Sequence, residues 1–302
     1  MAPTIHVDGH DIALSKLDKE LFPEDHVSKD DLLVHYLAVS EAMLPHLAGR
    51  PLTLLRFPHG IGGEGFFQKE APDHFPDWIR TVEVPHKHSP GSGRYAVCDD
   101  TATLLYLANL SAIEFHVWPA RADRIDRPDR LVIDLDPPDG TPLPALRSVA
   151  RRARDLYTEV GLTPYLQATG GRGYHVVAPL DRSRDFTFVR DLAGRLAAHL
   201  AADDPELLTT AFRKNKRGNR VFLDANRNGR AQTFIAPYSV RARPGAAVAT
   251  PLDWNELGRS VPNGYTTAAI RRRLARKQDP WADMDREAAD AGAVSDRLDA
   301  LD

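Results

Sequence analysis

"RLVIDLDPPDG", residues 130–140, is the stretch on which the reading of this chain turns. Two carboxylates, Asp134 and Asp136, stand two positions apart in an otherwise apolar run. Strand side chains alternate with a period of two, so Leu131, Ile133 and Leu135 share one face while Val132, Asp134 and Asp136 share the other. The acids then project together and nothing charged enters the core. Pro137 and Pro138 cannot continue a central ladder, which sets the pair at a strand end, open to a cleft. Carboxylates about 7 Å apart along a strand repel unless a cation lies between them, and hard oxygen donors suit Mg²⁺ or Mn²⁺. Taken alone, the pair equally fits a strand end whose acids are held by arginines.

A third acid follows in "VFLD", residues 221–224, where Phe222 and Asp224 share a face and a second strand can bring Asp224 alongside. Three acids from two strands, set among cations, is what a two-metal phosphoryl-transfer site requires. Between them, "PYLQATGGRGYHVVAPL" (164–180) reads as a strand, a turn Thr169-Gly170-Gly171-Arg172-Gly173, and a second strand. The glycines let backbone N–H groups converge on an anion, and Thr169 and Arg172 add a hydroxyl and a cation. His175 shares the face of Gly173. Alone, this also fits an ordinary glycine-rich hairpin turn. The chain has no GxxxxGK[ST], and its glycine cluster joins two strands instead of opening a helix, so P-loop and Rossmann readings both fail.

With 302 residues, 42% of them hydrophobic, the chain is long enough to bury a core. No apolar leader follows the start and no run of about 18 apolar residues occurs, so neither a signal peptide nor a membrane span is expected. One cysteine, Cys98, excludes an internal disulfide and a Cys-cluster zinc site, and a cytoplasmic location is expected. The net charge of −3 hides a segregation. From Arg213 to Arg243 run Arg213, Lys214, Lys216, Arg217, Arg220, Arg227, Arg230, Arg241 and Arg243 against the single acid Asp224. After Trp281 come Asp283, Asp285, Glu287, Asp290, Asp296, Asp299 and Asp302 against two arginines. Such local basicity points to a polyanionic partner. His86 and His88 have the spacing of metal ligands on one strand face, but no further ligand lies near in sequence, so a solvated loop is expected.

Helices are expected from Ser28 through "DDLLVHYLAVSEAMLPHL", along "TATLLYLANLSAIEFHVW", over "LPALRSVARRARDLYTEVG" and over "FTFVRDLAGRLAAHLAADD". "PLTLLRFP", "LVIDLD", "PYLQAT", "GYHVVAPL", "RVFLD" and "TFIAPYSV" read as strands. The alternation implies an α/β or α+β fold whose central sheet carries the chemistry on one face. No repeat or linker breaks the chain before about residue 281, and residues 282–302 read as an acidic tail.

"LVIDLDPP", "TGGRGYHVVAPL", "RVFLDANRNGRAQTFIAPYSVRARPGAAVATPLDWNEL" and "GEGFFQKEAP" together resemble the polymerase domain of bacterial DNA ligase D, of the archaeo-eukaryotic primase superfamily. The likeness runs from "LSKLDKELFP" to "RRRLARKQDPW". It implies an α+β primase-polymerase fold: an RRM-like antiparallel catalytic sheet with flanking helices (121–281), plus an N-terminal αβ part (1–120), in one domain. It implies that Asp134, Asp136 and Asp224 are catalytic metal ligands for Mn²⁺ or Mg²⁺. Thr169, Gly170, Arg172, Gly173 and His175 match the segment that holds the incoming triphosphate, with Thr169 where the family usually has Ser. By the same resemblance Phe66 and Phe67 match aromatics near the templating and incoming bases, of which only one can face a ligand from a strand, here taken as Phe67, and His116 lies at the nucleotide's sugar and phosphates. Gln232, Ser239, Arg241 and Arg243 abut the nucleotide, with Arg241 and Arg243 expected on one face. Lys19 and Lys29 match lysines that grip a DNA 5′-phosphate across a gap.

The function so implied is template-directed addition of nucleotides, ribonucleotides preferred, to a DNA primer 3′-hydroxyl during gap filling in non-homologous end joining. Its partners would be gapped or broken DNA, nucleoside triphosphates, Ku and a separate DNA ligase, since the chain has no K-x-D-G ligase signature; a monomer associated with the nucleoid is expected. Two other readings stay open: a primase that starts new strands, and a non-catalytic DNA-end-binding module. Three carboxylates facing a phosphate would be of no use to a pure binder. A two-metal nuclease is disfavoured because hydrolysis does not need the triphosphate turn.

Overall fold

The computed structural model describes residues 3–86 and 90–301; His88 lies outside the described residues. The chain forms two units, each assembled from separate stretches. One comprises Met1–Trp118, Ile235–Ala249 and Tyr265–Asp279; the other Pro119–Phe234, Thr250–Gly264 and Pro280–Asp302.

The first unit opens with two hairpins, β1 (Thr4–Val7) with β2 (His10–Ala13) and β3 (Glu20–Phe22) with β4 (Val27–Ser28). Helix α1 (Lys29–Leu47) begins at Ser28 with a capping box: the Ser28 hydroxyl accepts from the Asp31 N–H at 3.1 Å, and the Asp31 carboxylate accepts from the Ser28 N–H at 2.9 Å. β5 (Leu52–Arg56) and β6 (Phe66–Gln68) follow, then the hairpin of β7 (Thr81–Pro85) and β8 (Ser92–Ala96). Helix α2 (Thr101–Asn109) is shorter than its apolar run suggested. Ser111 turns the chain at φ +61°, and Ile113, Phe115 and Val117 then alternate with Glu114 and His116 along β9 (Ala112–Val117). The expected long helix is therefore helix plus strand, and His116 stands on a strand paired antiparallel with β5.

The second unit is one sheet with two covering helices. Its elements are β10 (Arg130–Asp136), α3 (Leu143–Glu159), β11 (Tyr165–Ala168), β12 (Tyr174–Pro179), α4 (Phe186–Asp203), β13 (Leu208–Thr209) and β14 (Val221–Asp224). "TFIAPYSV", which from Ile235 onward belongs to the first unit, keeps only β15 (Phe234–Ile235), outside the second unit's sheet, because Pro237 and Tyr238, at φ +66°, end the extended run. Arg241 and Arg243, expected along a strand, lie instead in a turn where the Arg243 N–H donates to the Arg241 carbonyl at 2.8 Å. With β16 (Thr250–Leu252) the sheet order is β13-β14-β10-β12-β11-β16, antiparallel except for β13 beside β14. Leu131, Ile133 and Leu135 are fully buried, as the period-two reading required. Helices α3 and α4 carry their apolar stripes, Leu146, Val149, Ala153 and Leu156 on one and Val189, Leu192 and Leu196 on the other, into the core over this sheet. This is the α+β, antiparallel-sheet architecture expected from the sequence.

Helix α5 (Thr267–Leu274) belongs to the first unit. Residues 282–301 pack on the second: α6 (Ala291–Asp299) buries Val294 and Leu298, Asp285 pairs with Arg121 and Arg130, and Asp299 pairs with Arg195. Among the described residues no helix is long and apolar enough to cross a membrane.

Candidate active site

Register places the acids. Asp134 of β10 lies opposite Asp224 of β14 on one side and His175 of β12 on the other, and His175 lies opposite Gln167 of β11. Directly opposed residues of antiparallel strands share a face, so Asp224, Asp134, His175 and Gln167 form a row across four strands. Asp136, two residues along β10, stands on the same face. Its side chain is 37% exposed, against 16% for Asp134 and 12% for Asp224.

Guanidinium groups answer each carboxylate. Arg227 spans two of them, Nη2 lying 3.4 Å from Asp134 Oδ2 and Nε 3.4 Å from Asp224 Oδ2. Asp224 Oδ1 is taken by the Asn226 backbone and amide N–H groups, each at 2.9 Å. Asp136 faces Arg217 Nη1 at 3.1 Å and Arg172 Nη2 at 3.5 Å. Arg217 lies over the Phe222 ring, 3.7 Å from its centre, and Arg172 also pairs with Asp139 at 2.6 Å. The hydrogen bond to Asp139, with the nearby Asp136 charge, outweighs burial and lifts Arg172 above an arginine's ordinary value.

Among the described residues no three His, Cys, Asp or Glu side chains converge on one point that could hold a metal ion. The donor set nevertheless fits a divalent cation. Asp134 and Asp224 turn one oxygen each toward a single positive group, and His175 Nε2 lies 3.6 Å from the other oxygen of Asp134. His175 Nδ1 is buried without a hydrogen-bond partner.

Asn228 holds the row in place. Its side chain accepts from the Val132 N–H at 2.8 Å and donates to the Val132 carbonyl at 2.7 Å and the Ala225 carbonyl at 2.8 Å. It is fully buried and completes the β10 ladder where β14 has ended.

The hairpin turn is wound more tightly than expected. The Thr169 hydroxyl donates to the Gly173 carbonyl at 2.8 Å and accepts from the Gly171 N–H at 3.2 Å, while the Gly170 N–H donates to the Pro262 carbonyl at 2.9 Å. Two glycine N–H groups are thus already taken, one within the turn and one by Pro262, whereas the sequence suggests that they converge on an open anion site. Gly170 takes φ +68°, and a Cβ on Gly173 would lie 1.8 Å from the Leu135 carbonyl oxygen, so the turn sits directly on the end of β10. Arg172 remains exposed at its tip. Beside it a cavity of about 310 Å³ is lined by Asp136, Asp139, Arg172, Lys214, Arg217 and Arg220, among others, a markedly cationic wall.

In the first unit, Glu114 organises a second cluster. Its carboxylate lies 2.8 Å from His116 Nε2 and 3.2 Å from Arg241 Nε, and accepts from the Ala242 N–H at 2.9 Å. Burial pushes this carboxyl up, but the His116 hydrogen bond and the Arg241 and His116 charges outweigh it and hold the group at about 2. Phe67, 58% exposed, meets the His116 ring edge-on at 5.8 Å. Phe66 lies under the Arg56 guanidinium. Ser239 is fully buried, its hydroxyl accepting from the Phe115 N–H at 2.9 Å.

Lys29 is buried, its ammonium donating to the Ser15 hydroxyl at 3.2 Å, and its backbone N–H donates to the Lys19 carbonyl. Burial first, then the charges of Lys19 and Lys16, lower it from 10.5 to about 8. Lys19 donates to the Pro58 carbonyl at 2.6 Å.

The second unit therefore brings together Asp134, Asp136, Asp224, Thr169, Gly170, Arg172, Gly173 and His175, and also carries the exposed Gln232. The first unit carries Lys19, Lys29, Phe67, His116, Ser239, Arg241 and the exposed Arg243. The sequence alone does not single out Lys16, Glu114 or Asn228, nor does it give Arg217 and Arg227 individual roles. Only Arg227, three residues after Asp224, had a local signal.

An RRM-like antiparallel sheet bearing acids and a histidine on one face is a fold of the primase-polymerase type. The chain belongs to the LigD primase-polymerase domain family, whose model matches residues 28–281. It is 34% identical over 295 residues to the "Multifunctional non-homologous end joining DNA repair protein LigD" of Mycobacterium tuberculosis H37Rv, covering 95% of this chain and 38% of that protein. It is 33% identical over 282 residues to the "Bifunctional non-homologous end joining protein LigD" of Bacillus subtilis, covering 92% of this chain and 45% of that protein. It thus spans less than half the length of either relative. Among solved structures it resembles the "Polymerase Domain from Mycobacterium tuberculosis Ligase D in complex with DNA", with a TM-score of 0.84 and 33% identity over 92% of this chain and 99% of that one.

Proposed function

We propose that this chain is a template-directed nucleotidyltransferase that extends a DNA primer across short gaps during non-homologous end joining. The observation that carries the reading is the register of β14, β10 and β12, which sets Asp224, Asp134 and His175 in one row with Asp136 beside them. In the reaction the primer 3′-hydroxyl oxygen bonds to the α-phosphorus of a nucleoside triphosphate. The bond to the bridging oxygen breaks, pyrophosphate leaves and the hydroxyl proton passes to solvent.

Asp134, Asp136 and Asp224 would hold divalent cations, which supply positive charge at the attacking hydroxyl and the leaving phosphates when bound. Arg172 and His175 meet the triphosphate's negative charge, and the tightly wound Thr169–Gly173 turn fixes where Arg172 stands. Glu114 holds His116 and Arg241 ready for sugar and phosphate, with Phe67 presented to a base and Gln232 and Arg243 exposed for further polar contacts. Ser239 acts through the β9 backbone, being buried. Lys19 and Lys29, with Lys16, form a cationic group for a DNA 5′-phosphate, to which a compact ammonium is suited. Preference for ribonucleotides, for Mn²⁺ over Mg²⁺, and work beside Ku and a DNA ligase in the nucleoid rest on the family resemblance, as does a single-domain reading to residue 281 with action as a monomer.

The test is extension on a gapped duplex bearing a 5′-phosphate, with ATP or dATP and Mn²⁺. The parent should extend the primer; Asp134→Ala and Asp224→Ala should not. Equal incorporation by the variants would overturn the metal assignment, and a parent that binds the duplex without extending it would overturn the enzyme reading.

A further inference from the structure

The most exposed large apolar side chain among the described residues is Phe212, 71% exposed. It lies three residues beyond β13 in the second unit and is followed by Arg213, Lys214 and Lys216, all exposed and none in an ion pair with a described residue. One exposed aromatic on a loop is ordinary. What distinguishes Phe212 is how firmly its backbone is held. Arg217 donates from Nε to the Ala211 carbonyl at 3.2 Å and from Nη2 to the Phe212 carbonyl at 2.9 Å, while its Nη1 reaches Asp136 at 3.1 Å. The Ala211 N–H is taken by the Thr209 hydroxyl at 3.1 Å. One guanidinium thus ties the backbone under Phe212 to the acid-bearing strand, and the ring is left projecting into solvent.

An exposed aromatic ring on a held backbone, beside three cations outside any ion pair with a described residue, complements a ligand that is flat, π-rich and polyanionic. An apolar protein patch would match the ring but not the charge, and a free phosphate would match the charge but not the ring. We propose that Phe212 is a base-stacking platform: its ring stacks on a nucleobase of a DNA strand whose phosphates are met by Arg213, Lys214 and Lys216. The site gains its use from the nucleotidyl-transfer reading, on which it rests, but it can be tested apart from it.

The test uses the full chain and a fluorescein-labelled primer–template with a short single-stranded gap, read by anisotropy. Phe212→Ala should weaken binding by about 5- to 100-fold, the range of one base–aromatic stack. Phe212→Trp should restore binding, and the introduced indole should be quenched by the DNA. Phe212→Leu should stay weak, because apolar bulk without a ring does not stack. Moving an abasic site along the strand should identify one position at which parent and Phe212→Ala bind alike. The slope of log affinity against log salt should be unchanged in Phe212→Ala and shallower in Arg213→Ala/Lys214→Ala. Equal DNA binding by parent and Phe212→Ala, or full function of Phe212→Leu, would overturn the proposal. An Asp134→Ala variant that binds DNA normally but does not extend it separates failure of this proposal from failure of the polymerase reading.

Discussion

Asp134 and Asp224 face each other across two antiparallel strands, and a single guanidinium, that of Arg227, lies 3.4 Å from an oxygen of each. A divalent cation would compete with that guanidinium for the same negative charge. Mn²⁺ is therefore expected to raise the melting temperature, at 100 times its dissociation constant by the equivalent of about 2.7 kcal/mol. Asp134→Asn and Asp224→Asn should lose most of the shift, and Arg227→Ala should reach it at lower Mn²⁺. Differential scanning fluorimetry over a metal titration reads all four proteins.

Gly173→Ala places a methyl group against the Leu135 carbonyl, which is backbone and cannot swing aside. A loss of about 1–3 kcal/mol or more is expected in urea denaturation, the scale of overpacking. A stability equal to the parent's would mean that the turn does not sit on β10 as described.

Asn228→Ala leaves the Val132 N–H and carbonyl without their side-chain partners in a buried position. The expected cost is about 1–3 kcal/mol for each group left unsatisfied. Hydrogen exchange should speed up at the Val132 amide before it does elsewhere in β10.

Lys29, held at about 8 by burial and by Lys19 and Lys16, carries charge at pH 7 and loses it as pH rises through about 8. The affinity advantage of a 5′-phosphorylated gap over an unphosphorylated one should therefore shrink between pH 7 and 9. Stability moves the opposite way. Between about 8 and 10.5 the unfolded chain binds more protons than the folded one, so this group's contribution to stability rises with pH. Lys29→Met should abolish the phosphate advantage at every pH.

Glu114→Gln removes the charge that Arg241 and His116 share. The Michaelis constant for the nucleoside triphosphate should rise about tenfold, equivalent to about 1.4 kcal/mol, with a smaller change in kcat and none in DNA binding. The tautomer of His116, read from ¹⁵N shifts, should change in the same variant. An unchanged tautomer with a raised Michaelis constant would limit Glu114 to scaffolding.

Much of the candidate site was legible because a strand's period of two is short-range. Asp134, Asp136 and Asp224 could be put on one face from "LVIDLD" and "VFLD", and the hairpin around Gly170 from its glycines. What could not be read is what depends on distant partners. Asn228 looks like any loop asparagine until Val132, 96 positions away, is found without a neighbour on the β14 side of its strand. Glu114 looks like a polar residue after an apolar helix until Ser111 turns the chain and Arg241 arrives. The glycine N–H groups looked free because Pro262, which takes one of them, lies far along the sequence.

Residues 282–301 are folded: Asp285 is on Arg121 and Arg130, Asp299 on Arg195, and α6 is seated by Val294 and Leu298. A loose acidic tail on a nucleic-acid-binding protein acts as a tethered decoy, competing for the cations at millimolar effective concentration whatever the concentration of DNA. With Asp285 and Asp299 on arginines other than those around Asp136 and α6 seated in the fold, this segment is not a free decoy, and the 213–216 loop keeps its attraction for an external polyanion.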